Sequence, residues 1–294
     1  MTTSAHNATT GIERVGVAGS GIMGTGIAEL CAKRGLDVKV AVFSEASLTT
    51  APRRLAASLE RGVAKGRLTE RERDAALDRV SFTRDLADLA DRQLVVEAVK
   101  EDEQLKRDLF ATLDKTVEDP DAILATNTSS LPVARLASAT RRPGQVLGIH
   151  FFNPVPALPL VELVPSVLTD AAVTERALLF VRDTLGKQPI TSPDRAGFLV
   201  NALLFPYLLS AIRMVESGLA TAETVDQGME QGCAHPMGPL RLADLIGLDT
   251  TVSIAQAMYE EYKEPLYAPP SLLLRMVESG LLGKKTGRGF HTYA

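Results

Sequence analysis

Six residues, Gly19-Ser20-Gly21-Ile22-Met23-Gly24, constrain this chain more than any others. They follow Arg14-Val15-Gly16-Val17-Ala18, a short β-compatible run. They open a stretch in which Ile22, Ile27, Ala28, Leu30 and Cys31 recur at helical spacing up to Gly35, a natural helix stop. Val38 to Phe43 then reads as a second strand, which completes a β-turn-α-turn-β unit. In a G-x-G-x-x-G at this place the first glycine permits a tight turn. The second lets a pyrophosphate approach the backbone, and the third lets helix pack on strand. The free N–H groups and the dipole of the helix N-terminus favour the phosphate charge. Gly19, Gly21, Ile22, Met23 and Gly24 are therefore the expected cofactor loop of a dinucleotide-binding domain.

The end of the second strand usually carries an acid that hydrogen-bonds the adenosine ribose of NAD. Val42 holds that position here. Its apolar side chain removes one charge-assisted hydrogen bond to NAD, worth about 1.5–3 kcal/mol, and does not repel a 2′-phosphate. That leans the cofactor toward NADP, with Ser44, Lys39 or Arg53 as phosphate contacts. Glu45, close by, keeps NAD open by replacing the acid.

Further strand candidates are Leu94 to Val99, Ile123 to Thr126, Val146 to His150 and Val161 to Val164. Helical patterns such as Glu103 to Val117 fall between them, and Glu175 to Leu185 reads as another helix after the last. An amphipathic helix carrying Leu48, Leu55, Leu59 and Val63 ends near Gly66, and Thr69-Glu70-Arg71-Glu72 matches a capping box that starts the next. Alternation of this kind argues for a parallel sheet covered on both faces. After Lys187 the character changes. Gln188 to Asp194, with Pro189 and Pro193, reads as a linker, and only helical patterns follow: Phe198 to Glu216 with a kink or break at Pro206, Thr221 to Gln231, Leu240 to Tyr262 and Ser271 to Glu278. The expected class is α/β, a Rossmann-type parallel sheet domain followed by an all-α C-terminal domain. The division is 1–10 as a disordered tail, 11–187 as the dinucleotide-binding domain and 188–294 as a helical substrate and dimerisation domain.

Lysine plus arginine number 32 against 36 aspartates and glutamates, a net charge of −4, which supports no broad nucleic-acid-binding surface. No run of ~18 apolar residues offers a membrane span, and the opening residues lack the n- and h-regions of a signal peptide. Cys31 and Cys233 exclude a disulfide framework, and a reducing cytoplasm is the simplest compartment. The histidines are too scattered for a metal site, and His6, His235 and His291 read as structural.

The segments richest in chemistry are Thr126-Asn127-Thr128-Ser129-Ser130, Gly148-Ile149-His150-Phe151-Phe152-Asn153-Pro154 and Leu160-Val161-Glu162-Leu163-Val164. Polar residues sit where apolar strands end, which is where open α/β sheets bind ligands. A carboxylate beside an imidazole fixes its tautomer and stabilises its charged form. Such a pair can take a proton from an alcohol and return it to a ketone. A Ser-His-carboxylate hydrolase competes by residue type, but no G-x-S-x-G elbow surrounds Ser129 or Ser130, and a hydrolase leaves the dinucleotide loop unused.

At these residues the chain resembles the L-specific, short-chain 3-hydroxyacyl-CoA dehydrogenases, including bacterial 3-hydroxybutyryl-CoA dehydrogenases. The resemblance runs from Val15 to Tyr293 and is most specific in T-N-T-S-S-L, H-F-F-N-P-V-P, H-P-M-G-P-L-R-L-A-D-L-I-G-L-D and G-K-K-T-G-R-G-F. It implies His150 as catalytic base oriented by Glu162, with Ser129 and Asn201 on the substrate oxygen. It also implies Glu101, Lys106, Asn127, Asn153 and Lys285 at cofactor-facing or active-site positions, and Ser58 and Lys65 as coenzyme A contacts. A cleft between two domains and a homodimer through the helical one are further expectations. Departures stand at Val42, Ala196, Ala202 and Ala234. Related activities stay open: a 3-hydroxyacyl group on acyl carrier protein, 3-hydroxyadipyl-CoA, a sugar acid such as L-gulonate, or a non-catalytic crystallin-like nucleotide-binding protein.

Overall fold

Short strands, the central ones apolar and buried on both faces, build one eight-stranded sheet. They are β1 (Arg14–Ala18), β2 (Asp37–Ala41), β3 (Val80–Thr83), β4 (Leu94–Glu97), β5 (Ile123–Thr126), β6 (Val146–Phe151), β7 (Leu160–Pro165) and β8 (Gln188–Thr191). The computed structural model describes residues 10–293 of the chain, so the expected tail and His6 lie outside the described residues. Thr10 alone of the tail is described; it is buried, and its carbonyl accepts from Arg176 Nε at 2.8 Å. The chain divides into two compact units between Asp194 and Arg195.

The sheet belongs to the first unit, in the order β3-β2-β1-β4-β5-β6-β7-β8. Strands β1 to β6 run parallel, and β4, β5 and β6 are buried at every residue, as a sheet covered on both faces requires. Helices α1 (Ile22–Lys33), α2 (Glu45–Ala64), α3 (Glu70–Leu77), α4 (Glu103–Thr116), α5 (Val133–Ala137) and α6 (Ala171–Leu179) supply the covering layers. The predicted capping box is present at the start of α3, where Glu72 N bonds Thr69 Oγ1 at 3.2 Å and Thr69 N bonds Glu72 Oε2 at 2.8 Å.

Three features of this unit differ from the sequence reading. The sheet is not wholly parallel, because β7 returns antiparallel to β6. The segment expected as a linker contains β8, which pairs with β7 at the sheet edge. An edge strand tolerates proline because one side of its ladder is unpaired, so Pro189 misleads there. Strand β3 was hidden by its partial exposure, with no residue fully buried.

The glycine loop has the predicted construction. Gly19 has φ +121°, and a Cβ on it would lie 2.4 Å from the Ala98 carbonyl oxygen. A Cβ on Gly24 would lie 2.0 Å from the Gly19 oxygen, whereas one on Gly21 would meet nothing within 4 Å.

The second unit is helical: α7 (Val200–Glu216), α8 (Ala222–Gly232), α9 (Pro239–Ile246), α10 (Leu248–Tyr262) and α11 (Ser271–Glu278). Its core gathers Phe205, Leu209, Ile212, Leu240, Leu248, Met258 and Leu273. Helix α7 is unbroken at Pro206, where a kink or break was expected, since burial of Phe205, Leu208 and Leu209 outweighs one lost backbone bond. The single helix expected over 240–262 is two, divided at Gly247 with φ +101°. Asp226 accepts from Leu240 N at 2.8 Å and from Arg241 N at 3.1 Å at the start of α9, and contacts His291 Nε2 at 2.7 Å.

Gly24→Ala should therefore lower stability by ~1–3 kcal/mol through forced backbone movement, while Gly21→Ala should change it by less than ~0.5 kcal/mol. Urea unfolding followed by circular dichroism reads both, and equal midpoints for the two variants would contradict the packing account.

Candidate active site

Strand β6 ends His150-Phe151 and β7 begins Leu160-Val161-Glu162, joined by eight residues. In their antiparallel register His150 stands directly opposite Glu162. The result is a His150 Nδ1 to Glu162 Oε2 contact of 2.7 Å, with both side chains almost wholly buried. A carboxylate only accepts when ionised, so the Nδ1–H donates to it and Nε2 is left as the ring's acceptor. Ser129 Oγ lies 3.1 Å from that Nε2. Ser192 Oγ donates to the other Glu162 oxygen at 3.1 Å. Serine, imidazole and carboxylate thus form one relay at the C-terminal edge of the sheet.

The loop that carries Ser129 is fixed from below by a buried ion network. Glu97, the last residue of β4, is fully buried. Its carboxylate accepts from Lys106 Nζ at 2.9 and 3.0 Å, from Thr126 Oγ1 at 2.7 Å and from Val99 N at 2.7 Å. Lys106, on α4 and 1 % exposed, also reaches Glu101 Oε2 at 2.9 Å. Glu101 Oε1 in turn accepts from Thr128 Oγ1, from Ser129 N at 3.1 Å and from Ser130 Oγ at 3.1 Å. Desolvation pushes the Glu101 carboxyl up, but the Lys106 charge and these hydrogen bonds prevail and hold it below the usual carboxylate range. Burial disfavours the Lys106 cation, yet the charges of Glu97 and Glu101 outweigh it and raise its pKa.

Asn127 is buried, and its Oδ1 accepts from Phe151 N at 2.8 Å, which ties the serine loop to the end of β6. Asn153 is exposed on the loop after β6. On the dinucleotide side, Gly21 and Ile22 are exposed, Ile22 at 65 %, while Met23 is half-buried and Gly24 buried. Val42 is buried just beyond β2, and Ser44 is exposed, its hydroxyl accepting from Ser47 N at 3.2 Å as the N-cap of α2. Ser58 lies on α2, half-buried, and Lys65, exposed, is the residue that caps the C-terminal end of that helix. In the second unit, Asn201 is buried in the first turn of α7, and Lys285 is exposed with Nζ 2.6 Å from Asp249 Oδ2.

Glu97 and Ser192 are absent from the residues to which the motifs point. The signal for Glu97 is an acid closing a wholly apolar strand, Leu94-Val95-Val96-Glu97. Ser192 offers none, since it follows an edge strand that reads as a linker.

Comparison with known proteins gives the family. Residues 14–195 match the family described as 3-hydroxyacyl-CoA dehydrogenase, NAD binding domain, and residues 197–293 match its C-terminal domain. The chain belongs to the 3-hydroxyacyl-CoA dehydrogenase family. It is 60 % identical over 282 residues to a 3-hydroxybutyryl-CoA dehydrogenase of Mycobacterium tuberculosis, covering 96 % of this chain and 99 % of that one. It is 40 % identical over 290 residues to the mitochondrial hydroxyacyl-coenzyme A dehydrogenase of Rattus norvegicus, covering 96 % and 91 %. Among solved structures it is similar to M. tuberculosis FadB2, with a TM-score of 0.95 at 60 % identity, covering 96 % of this chain and 99 % of that one. It is also similar to the (S)-3-hydroxybutyryl-CoA dehydrogenase PaaH1 of Ralstonia eutropha, with a TM-score of 0.90 at 40 % identity and the same coverage. The family places the chain among NAD-binding dehydrogenases. Among the described residues no helix is long and apolar enough to cross a membrane.

The ion network generates a crossed pH prediction. Lys106→Met leaves two carboxylates without their cation and should cost roughly 3–5 kcal/mol at neutral pH. The wild type gains stability from Glu101 above the unfolded carboxyl pKa of ~4.3 and loses it as pH falls through the lower folded value. The variant should instead recover stability on acidification, as its unpaired carboxylates neutralise. Urea midpoints of both proteins from neutral to acid pH check the sign, and parallel curves would contradict it.

Proposed function

We propose that the protein interconverts an (S)-3-hydroxyacyl-CoA and the corresponding 3-ketoacyl-CoA, with 3-hydroxybutyryl-CoA the substrate suggested by the names of its relatives. The observation that carries the reading is the Ser129–His150–Glu162 relay, with contacts of 3.1 and 2.7 Å. In oxidation the neutral imidazole takes the 3-hydroxyl proton at Nε2, and the Glu162 carboxylate stabilises the imidazolium that forms. In reduction His150 starts protonated and returns the proton to the ketone oxygen. Ser129 holds that oxygen, and Asn201 is assigned as a second donor to it by the family resemblance. The dinucleotide, when bound, supplies the hydride acceptor or donor for C3. Ser58 on α2 and Lys65 at its C-terminal cap are assigned to coenzyme A phosphates, with Asn153 and Lys285 at active-site positions. The exposed Leu199, Leu203 and Leu219 of the helical unit support a homodimer through it.

The glycine loop fits a dinucleotide, since open space surrounds Gly21 where a pyrophosphate must approach. For the choice between cofactors, NADP(H) is our reading. Val42 offers no carboxylate for a ribose hydroxyl. Glu45, the acid that could replace it, is paired with the Arg84 guanidinium. That pairing lowers the local negative field beside the end of β2.

His150→Gln should lower turnover of acetoacetyl-CoA by ~10²–10⁴ with NADH affinity, read by fluorescence titration, unchanged. Near-wild-type turnover would remove His150 from the mechanism.

Titration of both reduced cofactors against acetoacetyl-CoA should give kcat/KM for NADPH at or above that for NADH. Val42→Asp should shift the ratio toward NADH by ~10–100-fold, from one added charged hydrogen bond of about 1.5–3 kcal/mol. A wild-type preference for NADH would overturn the NADP(H) reading while leaving the proton chemistry intact.

A further inference from the structure

A cavity of about 620 Å³ opens at the C-terminal end of α1, the opposite end of that helix from the glycine loop. Twelve residues of helix rise ~18 Å, so the two sites are separate. All the residues that line the cavity belong to the first unit. Four of them are cations: Lys33, Arg34, Arg79 and Lys187.

Three of these cations, Arg34, Arg79 and Lys187, have no carboxylate within ion-pair distance among the described residues, whereas Lys33 has Glu29. Lys187 is only 7 % exposed, and its Nζ donates to the carbonyls of Val155 at 2.7 Å and Leu158 at 2.6 Å. An ammonium carries three protons, so one is left over, and no carboxylate pairs with it among the described residues. Burial, and then the charges of Arg34 and Lys33, push its pKa down. Arg34 donates through Nε to the Leu185 carbonyl at 2.9 Å, and its guanidinium lies against Gly186, where a Cβ would fall 2.4 Å from it. Among the described residues the Arg79 guanidinium bonds only the Ala75 carbonyl, in the last turn of α3 just before it. Lys33 stands 3.7 Å from Glu29. Glu72 is the one acid on the wall, and its carboxylate is committed to the Thr69 cap. The rest of the wall is apolar, with Leu30, Leu68 and Pro156 among it.

Of these cations Lys187 alone is kept out of water, and a charged group so buried is normally paired; the exposed Arg34 and Arg79 stand beside it on the wall of a pocket of ligand dimensions. We propose that this cavity is a binding site for a phosphate monoester, its dianion taken by Arg34, Arg79 and Lys187 and its organic body lying on the apolar wall. The fork of each guanidinium matches phosphate oxygens, and Lys187 adds a point charge at the base. The inference does not rest on the proposed reaction. Two sources share the chemistry, a free nucleoside monophosphate and the 3′-phosphoadenosine end of coenzyme A.

The test is calorimetric titration of the NADH-saturated protein, so that the dinucleotide site is filled, with AMP and with adenosine 3′,5′-bisphosphate. Binding of either is expected, weakened about tenfold or more by each of Arg34→Gln and Arg79→Gln, with NADH affinity unchanged. Binding of AMP identifies the free nucleotide as sufficient, and binding of the bisphosphate alone identifies the coenzyme A end. Should Arg34→Gln fail to fold, Arg79→Gln carries the test, since its guanidinium makes one bond, to a carbonyl in the last turn of α3. Absence of heat with both compounds, or affinity equal in wild type and folded variants, would overturn the proposal.

Discussion

The active relay exists because one strand turns back. In an antiparallel ladder the residues directly opposite each other share a face of the sheet with side chains ~5 Å apart. His150 and Glu162 are such a pair, and their 2.7 Å contact follows from register as much as from charge. A slip of one strand by one residue would send its member of the pair to the other face and part the two side chains. The apolar neighbours Ile149, Phe151, Val161 and Leu163, all buried, resist that slip. The hydrophobic core of the sheet therefore holds the tautomer of the imidazole.

A second layer of control is electrostatic. The serine loop has little apolar surface of its own, and it is ordered by polar contacts to Glu97, Lys106 and Glu101. Every listener in that network has a partner: Lys106 reaches both acids, and their remaining oxygens take hydroxyl and amide protons from residues 126–130. A buried charge is costly unless paired and hydrogen-bonded, so the network is held to one arrangement. Lys106 is thus a positioning residue for Ser129, deep beneath the loop.

Helix α1 links the two ends of the first unit. Its first turn presents backbone N–H groups and a bare Gly21 to a pyrophosphate. Its last residues, with Arg34 after them, border a cationic cavity. The same helix dipole that favours an anion at the first end favours cations at the second, which accounts for Lys33 and Arg34 as helix-ending residues while leaving Arg79 and Lys187 to be explained by something other than the helix.

Much of this was legible in the residues. The glycine spacing, its strand before and helix after, the capping box at Thr69 and the polar ends of β5 and β6 are local patterns, and local sterics and hydrogen bonding decide them. The eight residues between β6 and β7 also carried a readable sign, since a parallel crossover needs a dozen or more. What the sequence did not reveal was non-local. Pro189 in an edge strand looks like a linker until its neighbour is known, and Lys106 looks like a solvated helix residue until Glu97 is placed beneath it. The sequence by itself determined which residue types could bind a dinucleotide and move a proton, because those depend on side-chain chemistry and short spacing. Only the tertiary structure decided which of them meet, because partners 9 to 30 residues apart are brought together by strand order and register.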